Sequence, residues 1–369
     1  MKFTVERDVL LGILKHAHSI VVRQDNTPVL ASILISATDG RLTVKATNTD
    51  ILAQTGCPAD VEATGDGCVP LEPLFKLLQR LPARSVIVAN GLSGSGMIEM
   101  RCGRSSFELP VLSASGFPDF PAGEEAGEVE VEGSLLAQAI GVPLHCADAA
   151  DQRVFVNGVH IGPTADGTTL LGIATNGKRI TRALLPLPAG WADLPAVMIA
   201  VKPAEEIVKL ARAAKGPVKL RIGTSLLSAS ADDVVLTTKL LDARMPDCSQ
   251  FFPPAFDGAV AFPAGQVIET LHRAEILADD QYRMVRIDVS GGELSIASRS
   301  TKGGAITDTL EVEGGDGIGF NGNVRMLREG LEAVGGDVVE LFHAGPGAPI
   351  VMRARGGGPI TALVMPTLA

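Results

Sequence analysis

Residues 33–46 of this 369-residue chain read Ile33-Leu34-Ile35-Ser36-Ala37-Thr38-Asp39-Gly40-Arg41-Leu42-Thr43-Val44-Lys45-Ala46. Apolar and polar side chains alternate on both sides of Asp-Gly, a pair that supplies the positive φ values of a two-residue hairpin turn. The pattern returns around Asp166-Gly167 and again around Gly291-Gly292. Gly40 and Gly167 lie 127 residues apart, and Gly167 and Gly292 lie 125 apart. A period of this length predicts three copies of a whole domain rather than a solenoid of short repeats.

Amphipathic helices repeat in step with the hairpins. Each copy opens with one helix, predicted at 9–20, 135–146 and 267–277, and carries a second one, predicted at 73–81, 204–213 and 324–334. The leucines between 74 and 81 follow the i, i+3, i+4, i+7 spacing of a helix face. Pro73 and Pro203 fit a first turn, where spare N–H groups tolerate proline. The predicted fold class is α+β, with helices packed on mainly antiparallel sheet.

The composition favours two or three packed domains inside the cell. The chain is 46% hydrophobic, which suffices for packed cores. We find neither an apolar run that could span a bilayer nor a signal peptide, so we predict a cytoplasmic location with no membrane contact. Five cysteines without a C-x-x-C pair argue against a disulfide framework and a zinc knuckle. An aromatic content of 4% disfavours stacking of single-stranded bases.

The net charge of −10 is unusual for a protein that meets duplex DNA. Basic side chains nevertheless gather on the predicted helices. The region 202–219 holds five of them beside two glutamates, and the second helices of the other copies bring Lys76, Arg80, Arg325 and Arg328. Two interpretations stay open. These are ordinary solvated helix faces, or they form a surface that meets phosphates while the acidic remainder repels them.

Seven segments resemble the bacterial DNA polymerase III β subunit, the replicative sliding clamp, and they do so in the family's order from the first residue to the last. They read Met1-Lys2-Phe3-Thr4-Val5-Glu6-Arg7, Thr27-Pro28-Val29-Leu30, Gly103-Arg104-Ser105, Phe117-Pro118-Asp119-Phe120-Pro121, Ala174-Thr175-Asn176-Gly177-Lys178-Arg179, Arg244-Met245-Pro246-Asp247 and Val364-Met365-Pro366. Each segment alone is a weak signal, but seven in order are a specific one.

The resemblance implies three repeated domains of the DNA-clamp type, each with two helices packed on antiparallel sheet, at 1–121, 129–250 and 259–369. Two chains are implied to close head to tail into a homodimeric ring that encircles duplex DNA of any sequence. The implied function is that of a DNA sliding clamp, a replication processivity factor. The implied partners are the α subunit of DNA polymerase III, the clamp loader and other proteins with a clamp-binding motif. No cofactor is implied.

Two alternatives to a general replicative clamp stay open. One is a specialised clamp paralogue with altered partner or inhibitor binding, and the other is a static DNA-binding scaffold. Because a ring is held on DNA by topology, a closed ring needs no strong phosphate contact, and tight contacts would oppose sliding. A scaffold would instead depend on direct phosphate binding.

Residues for DNA contact and for the subunit interface follow from the resemblance and from the helix charges. The DNA-facing set is Arg23, Lys76, Arg80, Arg153, Lys202, Lys209 and Arg212. The resemblance pairs Phe107 and Leu109 of the first domain with Ile276 and Leu277 of the third in the dimer interface. A role in the core of their own domain is the alternative for these four residues.

The resemblance also implies a hydrophobic pocket between the second and third domains. It would bind short peptides that contain Gln and Leu or Phe. The matching positions are Val156, Thr175, Gly177, Lys178, Arg179, Ile180, Pro246, Phe251, Tyr282, Val364, Met365 and Pro366. Tyr282 fits the rim of such a pocket or a plain core position.

This pocket departs from the family pattern in several places. Lys178 stands where His is frequent, Gln250 stands where a basic residue is common, and Thr367-Leu368-Ala369 replaces a Met-Arg-aliphatic end. Ordinary drift and a specialised second clamp both explain these departures.

Catalytic motifs are weak throughout the chain. The glycine-rich run 91–96 lacks the Lys-Ser/Thr of a P-loop and fits a hairpin turn. His16 and His18 lie two residues apart, so they point to different faces of a helix and cannot chelate one metal. Cys248 could be a nucleophile, although a structural or incidental thiol is the simpler explanation. We therefore predict a non-catalytic protein without a metal.

Overall fold

The computed structural model of the protein describes residues 1–21, 27–92, 96–121, 127–252, 255, 257–278, 283–301 and 303–367. The described chain repeats one βαβββ unit six times, two units for each predicted domain. The first pair of units consists of β1 (Lys2–Glu6), α1 (Arg7–Ile20), β2 (Ser32–Thr38), β3 (Arg41–Thr47), β4 (Ile51–Pro58), the additional short β5 (Asp60–Ala63), β6 (Gly65–Pro70), α2 (Leu71–Arg80), β7 (Val86–Leu92), β8 (Met97–Cys102) and β9 (Ser105–Pro110).

The second pair repeats this order. It consists of β10 (Gly127–Val131), α3 (Gly133–Leu144), β11 (Gly158–Pro163), β12 (Thr169–Thr175), β13 (Arg179–Pro186), β14 (Val197–Ala200), α4 (Val201–Ala213), β15 (Val218–Ile222), β16 (Leu226–Ala231) and β17 (Val234–Lys239). The third pair consists of β18 (Val260–Pro263), α5 (Ala264–Leu277), β19 (Met284–Ser290), β20 (Glu293–Arg299), β21 (Ala305–Glu311), the additional β22 (Glu313–Gly314), β23 (Gly319–Asn323), α6 (Val324–Val334), β24 (Val338–His343), β25 (Ile350–Ala354) and β26 (Ile360–Val364).

The two units of each pair exchange their first strands. β1 lies beside β7 rather than beside β2, and β6 lies beside β2. The same exchange joins β10 to β15, β14 to β11, β18 to β24, and β23 to β19. All of these pairings are antiparallel, as the α+β class requires. The two halves of each predicted domain are therefore tied together by backbone hydrogen bonds.

Two of the four sheets join strands from neighbouring predicted domains. The eight-stranded sheet has the order β10-β15-β16-β17-β4-β3-β2-β6, and the nine-stranded sheet has the order β14-β11-β12-β13-β26-β25-β24-β18-β22. The ladders β17–β4 and β13–β26 are the joins. The remaining sheets are β5-β1-β7-β8-β9 and β21-β20-β19-β23. Contacts divide the chain into two compact units, one of residues 1–134 and 206–240 and the other of residues 135–205 and 241–369.

The helices bury apolar stripes against these sheets. In the first unit, α1 packs against α2 and against β3 and β4. Leu10, Leu14 and Ala17 of α1 and Leu74 and Leu78 of α2 are fully buried in one core. In the second unit, α5 packs against α6, and α6 lies against β25 and β26. Burial of these stripes is the main source of the stability of each helix, because short isolated helices are marginal in water.

All six predicted helices are present, but five of them begin two or three residues before the predicted start. The reason is that a strand leads into each helix with almost no loop, so the first turn lacks the apolar spacing that identifies the rest. Pro73 and Pro203 are consequently the third helical residue, still within the turn whose N–H groups need no intrahelical acceptor.

The predicted hairpins are present, with one difference in turn length. Asp39 and Gly40 both have positive φ in a two-residue turn, as do Gly291 and Gly292. The loop around Gly167 is longer and spans residues 164–168, with only Gly167 at positive φ. Thr164 closes it, since its backbone N–H donates to the Thr169 carbonyl at 2.9 Å. The two-residue prediction was wrong there because the Thr164 side chain stabilises a wider loop, also bonding Thr169.

No helix in the described ranges has both the length and the apolar character needed to cross a bilayer. The five cysteines are all free thiols, and Cys57, Cys68, Cys102 and Cys146 are buried. The same ranges contain no group of three side chains that could hold a metal ion.

Candidate functional site

The centre of the candidate site is the join between β13 and β26. The ladder pairs Arg179 with Val364 and Ile180 with Leu363. Beyond its end, the Met365 N–H donates to the Lys178 carbonyl at 2.8 Å. Strand β26 is therefore fixed directly beside the segment 174–179.

A tight turn, closed by side-chain hydrogen bonds, precedes β13 at one edge of the candidate site. The Thr175 hydroxyl donates to the Arg179 carbonyl at 2.8 Å and accepts from the Gly177 N–H at 3.0 Å. The Asn176 side-chain oxygen accepts from the Lys178 and Arg179 N–H groups. Gly177 has φ +83, a conformation that favours glycine, and a Cβ there would lie 2.8 Å from the Arg153 guanidinium. Gly177 thus has both a conformational and a steric role.

One face of the β13–β26 ladder carries an apolar cluster. Ile173, Ile180, Phe252, Val351 and Leu363 are buried in it, and Met245, Cys248 and Met365 pack against it from positions that remain partly exposed. Of the predicted pocket residues, Ile180 and Met365 are brought together here. Pro246 lines an adjoining groove of about 600 Å³ that extends over β12 and β13. A partly open apolar cluster of this kind can receive a Leu or Phe side chain.

The opposite face of the ladder holds two residues that were predicted for the same pocket. Directly paired residues lie on one face of a sheet, so Val364 shares the face of Arg179, not that of Ile180. The Arg179 guanidinium pairs with Glu329 of α6 and donates to the His145 carbonyl, both on the helix side of the strand. Burial raises the pKa of Glu329, but hydrogen bonds from Arg325 and Arg179 outweigh it and hold that pKa below the usual range. Arg179 and Val364 therefore lie on the helix side of the strands, on the face opposite the apolar cluster.

Sequence reasoning missed four of the five buried members of the cluster, namely Ile173, Phe252, Val351 and Leu363. Two of them, Leu363 and Phe252, are direct neighbours of a predicted residue. Leu363, one residue before the predicted Val364, is the position that shares a face with Ile180. Phe252 is buried, whereas the predicted Phe251 is 37% exposed. In both cases the sequence pointed to the adjacent residue, Val364 or Phe251. Which of two adjacent side chains faces the cluster is known only once the strand pairing and the path of the turn are known.

The other predicted pocket residues lie around this centre. Val156 and Thr175 are buried, Lys178 is exposed, and Pro366 is half-buried. After Pro366, the Thr367 N–H donates to the Asn321 carbonyl at 2.8 Å, which ties the atypical end of the chain to β23. Tyr282, Leu368 and Ala369 lie outside the described residues.

The predicted DNA-facing side chains are mostly paired with acids on their own helix or loop. Lys76 contacts Glu72 at 3.0 Å, Lys202 contacts Glu205 at 3.4 Å, and Lys209 contacts Glu206 at 2.8 Å. Arg80 and Arg212 are exposed. The six helices of the described chain together hold ten basic and eight acidic side chains. They are slightly positive within a chain of net charge −10.

Arg153 is oriented by its own loop. Its guanidinium makes a bidentate contact with Asp151, donates to the Asn176 carbonyl at 3.0 Å, and lies 5.7 Å from the Phe155 ring centroid. The hydrogen bonds from Arg153 lower the pKa of Asp151 to about 2. Arg153 is thereby held against the turn at Gly177. Arg23 lies outside the described residues.

The predicted interface residues occur beside two edge strands. β9 ends the five-stranded sheet and β21 ends the four-stranded sheet. Leu109 of β9 is buried in the core of its own unit, and Phe107 packs against that core while staying partly exposed. Ile276 at the end of α5 is 81% exposed, the largest value among the exposed large hydrophobic residues described. Leu277 lies near Gly304, where a Cβ would be 3.6 Å from its side chain.

The Cys248 thiol is not activated. Burial raises its pKa, and the neighbouring Asp247 raises it further. A nucleophilic cysteine needs a lowered pKa. The alternative of an incidental thiol, given in the sequence analysis, fits this environment.

The chain repeats a βαβββ unit, and two of its sheets continue from one predicted domain into the next. These two features define a protein of the DNA-clamp class. Comparison with known proteins identifies the family. Family models of the DNA polymerase III beta subunit match the chain as its N-terminal domain at residues 1–121, its central domain at 130–247 and its C-terminal domain at 249–368. The chain belongs to the DNA polymerase III beta subunit family, and its function is that of a DNA sliding clamp.

Individual relatives are similar over nearly their full length. The beta sliding clamp of Vibrio cholerae is 27% identical over 369 residues, which is 99% of each chain. That of Caulobacter vibrioides is 25% identical over 355 residues, 95% of each chain. A crystal structure of the Bartonella birtlesii sliding clamp bound to griselimycin covers 100% of both chains, with a TM-score of 0.95 and 23% identity. The last comparison shows the shared fold.

Proposed function

We propose that two copies of this chain close head to tail into a ring around duplex DNA and that the ring tethers DNA polymerase III. Membership of the family over all three matched domains carries this proposal. The three domains are proposed at 1–121, 129–250 and 259–369. The edge strands β9 and β21, with exposed Ile276 beside β21, support the ring contact, because an unpaired edge can add a strand from a second copy. A head-to-tail contact that closes after two copies gives a finite ring.

The charge distribution supports sliding rather than gripping. Lys76, Lys202 and Lys209 share their charge with neighbouring glutamates, so few free cations would be left for phosphates. Each neutralised phosphate adds to the affinity that movement along DNA must break. A weakly positive lining, with Arg80, Arg212, Arg153 and Arg23 as further proposed contacts, leaves retention to topology.

We propose that partners dock through the apolar cluster at the β13–β26 join. Ile180, Leu363, Met365 and Phe252 would receive the Leu or Phe of a clamp-binding peptide. The proposed partners are the α subunit of DNA polymerase III, the clamp loader and other proteins with such motifs. The chain itself acts in the cytoplasm without catalysis. It raises the effective concentration of the polymerase at its primer end, so release from the template no longer ends synthesis.

The test is retention on nicked circular DNA after loading with the clamp loader of the same organism and ATP. We expect stable retention on circles and loss when the plasmid is linearised, because only a topological link depends on the absence of DNA ends. Equal retention on both forms would contradict the ring and favour a static DNA-binding scaffold, whose retention would also fall steeply with salt.

A specialised clamp is the second candidate, and the end of the chain favours it. Two residues at this edge of the pocket, Lys178 and Thr367, depart from the family pattern. Lys178 is exposed, and the Thr367 N–H donates to the Asn321 carbonyl. A binding panel of peptides from several replication and repair partners separates the two candidates. A general clamp binds most of them, whereas a specialised clamp binds a narrow subset.

A further inference from the structure

The groove beside the apolar cluster contains a positively charged side chain, Arg182, which belongs neither to the proposed DNA-facing set nor to the apolar core. Its floor is made by Leu171, Ile173 and Leu184 on the outer face of β12 and β13, and Phe252 and Met245 form one wall. Ile173, Phe252 and Met245 also belong to the apolar cluster at the β13–β26 join. The groove is thus continuous with the proposed peptide-binding surface. Arg182 lies in its floor, paired across the ladder with Ile173.

Arg182 is half-buried and lacks the usual compensation for a buried charge. Its guanidinium carbon lies over the Phe252 ring, 3.8 Å from the centroid. Its Nε is buried and has no hydrogen-bond partner, and among the described residues no carboxylate forms an ion pair with Arg182. Burial lowers the pKa of Arg182, and no neighbouring acid raises it. An arginine keeps its charge even so, and a desolvated cation without a partner is costly.

The acidic side chains at the groove are already engaged elsewhere. Asp166 accepts from the Thr164 hydroxyl and the Thr168 N–H, and Asp247 accepts from the Ser249 N–H at 2.9 Å. These hydrogen bonds lower the pKa of both carboxyls and keep them ionised at the mouth. Burial lowers the pKa of His160, so this ring is neutral near pH 7. Arg182 is therefore the positive group of the groove.

We propose that Arg182 is a carboxylate subsite that receives a Glu or Asp side chain of the clamp-binding peptide. Among the described residues no acceptor is bonded to Arg182, so its terminal N–H donors are available to a carboxylate, which a guanidinium can bind bidentately. The apolar floor on both sides of Arg182 fits the aliphatic part of the same chain. This inference rests on the proposed function, because the peptide that occupies the apolar cluster is the one whose acidic residue reaches Arg182.

The experiment uses the full-length protein and two matched series of fluorescein-labelled synthetic peptides. Both series keep a Gln and a Leu-Phe pair. One series moves a single Glu along the flanking positions, and the other carries Gln at the same positions. Affinities are measured by fluorescence anisotropy for the wild type, for Arg182→Gln and for the control Arg299→Gln. Arg299 is exposed on β20, so its removal changes the net charge equally without touching the groove.

We expect one Glu position to bind the wild type and Arg299→Gln roughly tenfold more tightly than its Gln counterpart, as a charge-assisted hydrogen bond predicts. In Arg182→Gln the two peptides should bind equally, and a urea-unfolding midpoint close to that of the wild type shows that the variant is folded. Binding without any preference for Glu would overturn the subsite and leave the proposed function intact. A Glu preference that persists in Arg182→Gln would also overturn the subsite. Failure of every peptide to bind the wild type would overturn both.

Discussion

At the scale of single residues, the Cys146 thiol shows how completely the strands and helices of the second domain exclude water. It is fully buried behind β13 and donates to the Thr181 hydroxyl at 3.2 Å. Burial raises its pKa to about 11, although the hydrogen bond to Thr181 acts in the opposite direction. A thiol in this environment remains protonated at neutral pH and is a packing group.

This state of Cys146 predicts resistance to alkylation. At pH 8 we expect iodoacetamide to modify Cys248, the one cysteine of intermediate exposure, while Cys146 stays unmodified until urea unfolds the chain. Peptide mass spectrometry reads out each site. Modification of Cys146 in the native protein as fast as that of Cys248 would contradict the burial.

The same thiol affects stability at alkaline pH. The unfolded thiol has a pKa of 9.0, below that of the folded thiol, so between pH 9.0 and about 11 the folded state holds a proton that the unfolded state has lost. The free energy of unfolding should therefore fall in this interval. Relative to wild type, a Cys146→Ala variant should show a smaller decrease over this pH range in urea titrations.

At the scale of elements, the two faces of strand β26 are expected to have different roles, one in peptide binding and the other in the stability of the fold. Leu363 faces the apolar cluster and Val364 faces the helices. We expect Leu363→Ala to weaken the binding of a labelled Leu-Phe peptide by roughly tenfold or more, as the loss of a central anchor does. Val364→Ala should leave the affinity within about twofold while lowering the free energy of unfolding by about 1–3 kcal/mol, as cavity formation predicts. The reverse pattern would show that the pocket uses the other face.

Helices α1 and α4 meet through a buried carboxylate. Glu206 is 1% exposed, and it accepts from the Ser19 hydroxyl at 2.5 Å and from Lys209 at 2.8 Å. Ser19→Ala removes one of these donors, and we expect a loss of about 1–3 kcal/mol of unfolding free energy, the cost of removing a hydrogen bond to a buried carboxylate. Ser85→Ala is the control in urea unfolding, since the Ser85 hydroxyl donates to the Pro82 carbonyl of its own turn. Equal effects of the two variants would exclude a special role for Glu206.

Local elements could be predicted from the sequence because their causes are local. The spacing of Leu74 and Leu78 is that of a helix face, and Asp39-Gly40 has the backbone freedom of a tight turn. The exchange of first strands and the joins β17–β4 and β13–β26 could not, since no short pattern encodes which distant strand pairs. The pocket depends on that register, and for this reason Val364 was chosen over Leu363 and Arg182 was overlooked. An arginine between Ile180 and Leu184 on an apolar face was the available signal.

At the scale of the whole molecule, the proposed ring depends on the apolar end of α5. Replacing Ile276 and Leu277 together by Ala should shift the particle toward monomer, because the apolar area that a second copy would bury is lost. Light scattering at low micromolar concentration measures the mass. Val86→Ala is the control, since Val86 is 53% exposed on β7, which β8 separates from the edge strand β9. An unchanged mass of the double variant would contradict this interface.

The join between β4 and β17 also has a consequence during synthesis. Thr55 pairs with Val234, about 180 residues later in the chain. At typical ribosome speeds, β4 therefore waits for roughly 10–40 s before its neighbour emerges. Throughout that interval the edge of β4 that later pairs with β17 has unpaired backbone N–H and C=O groups. A polypeptide stalled on the ribosome before residue 234 should be cut by proteases near β4, whereas the released chain should resist.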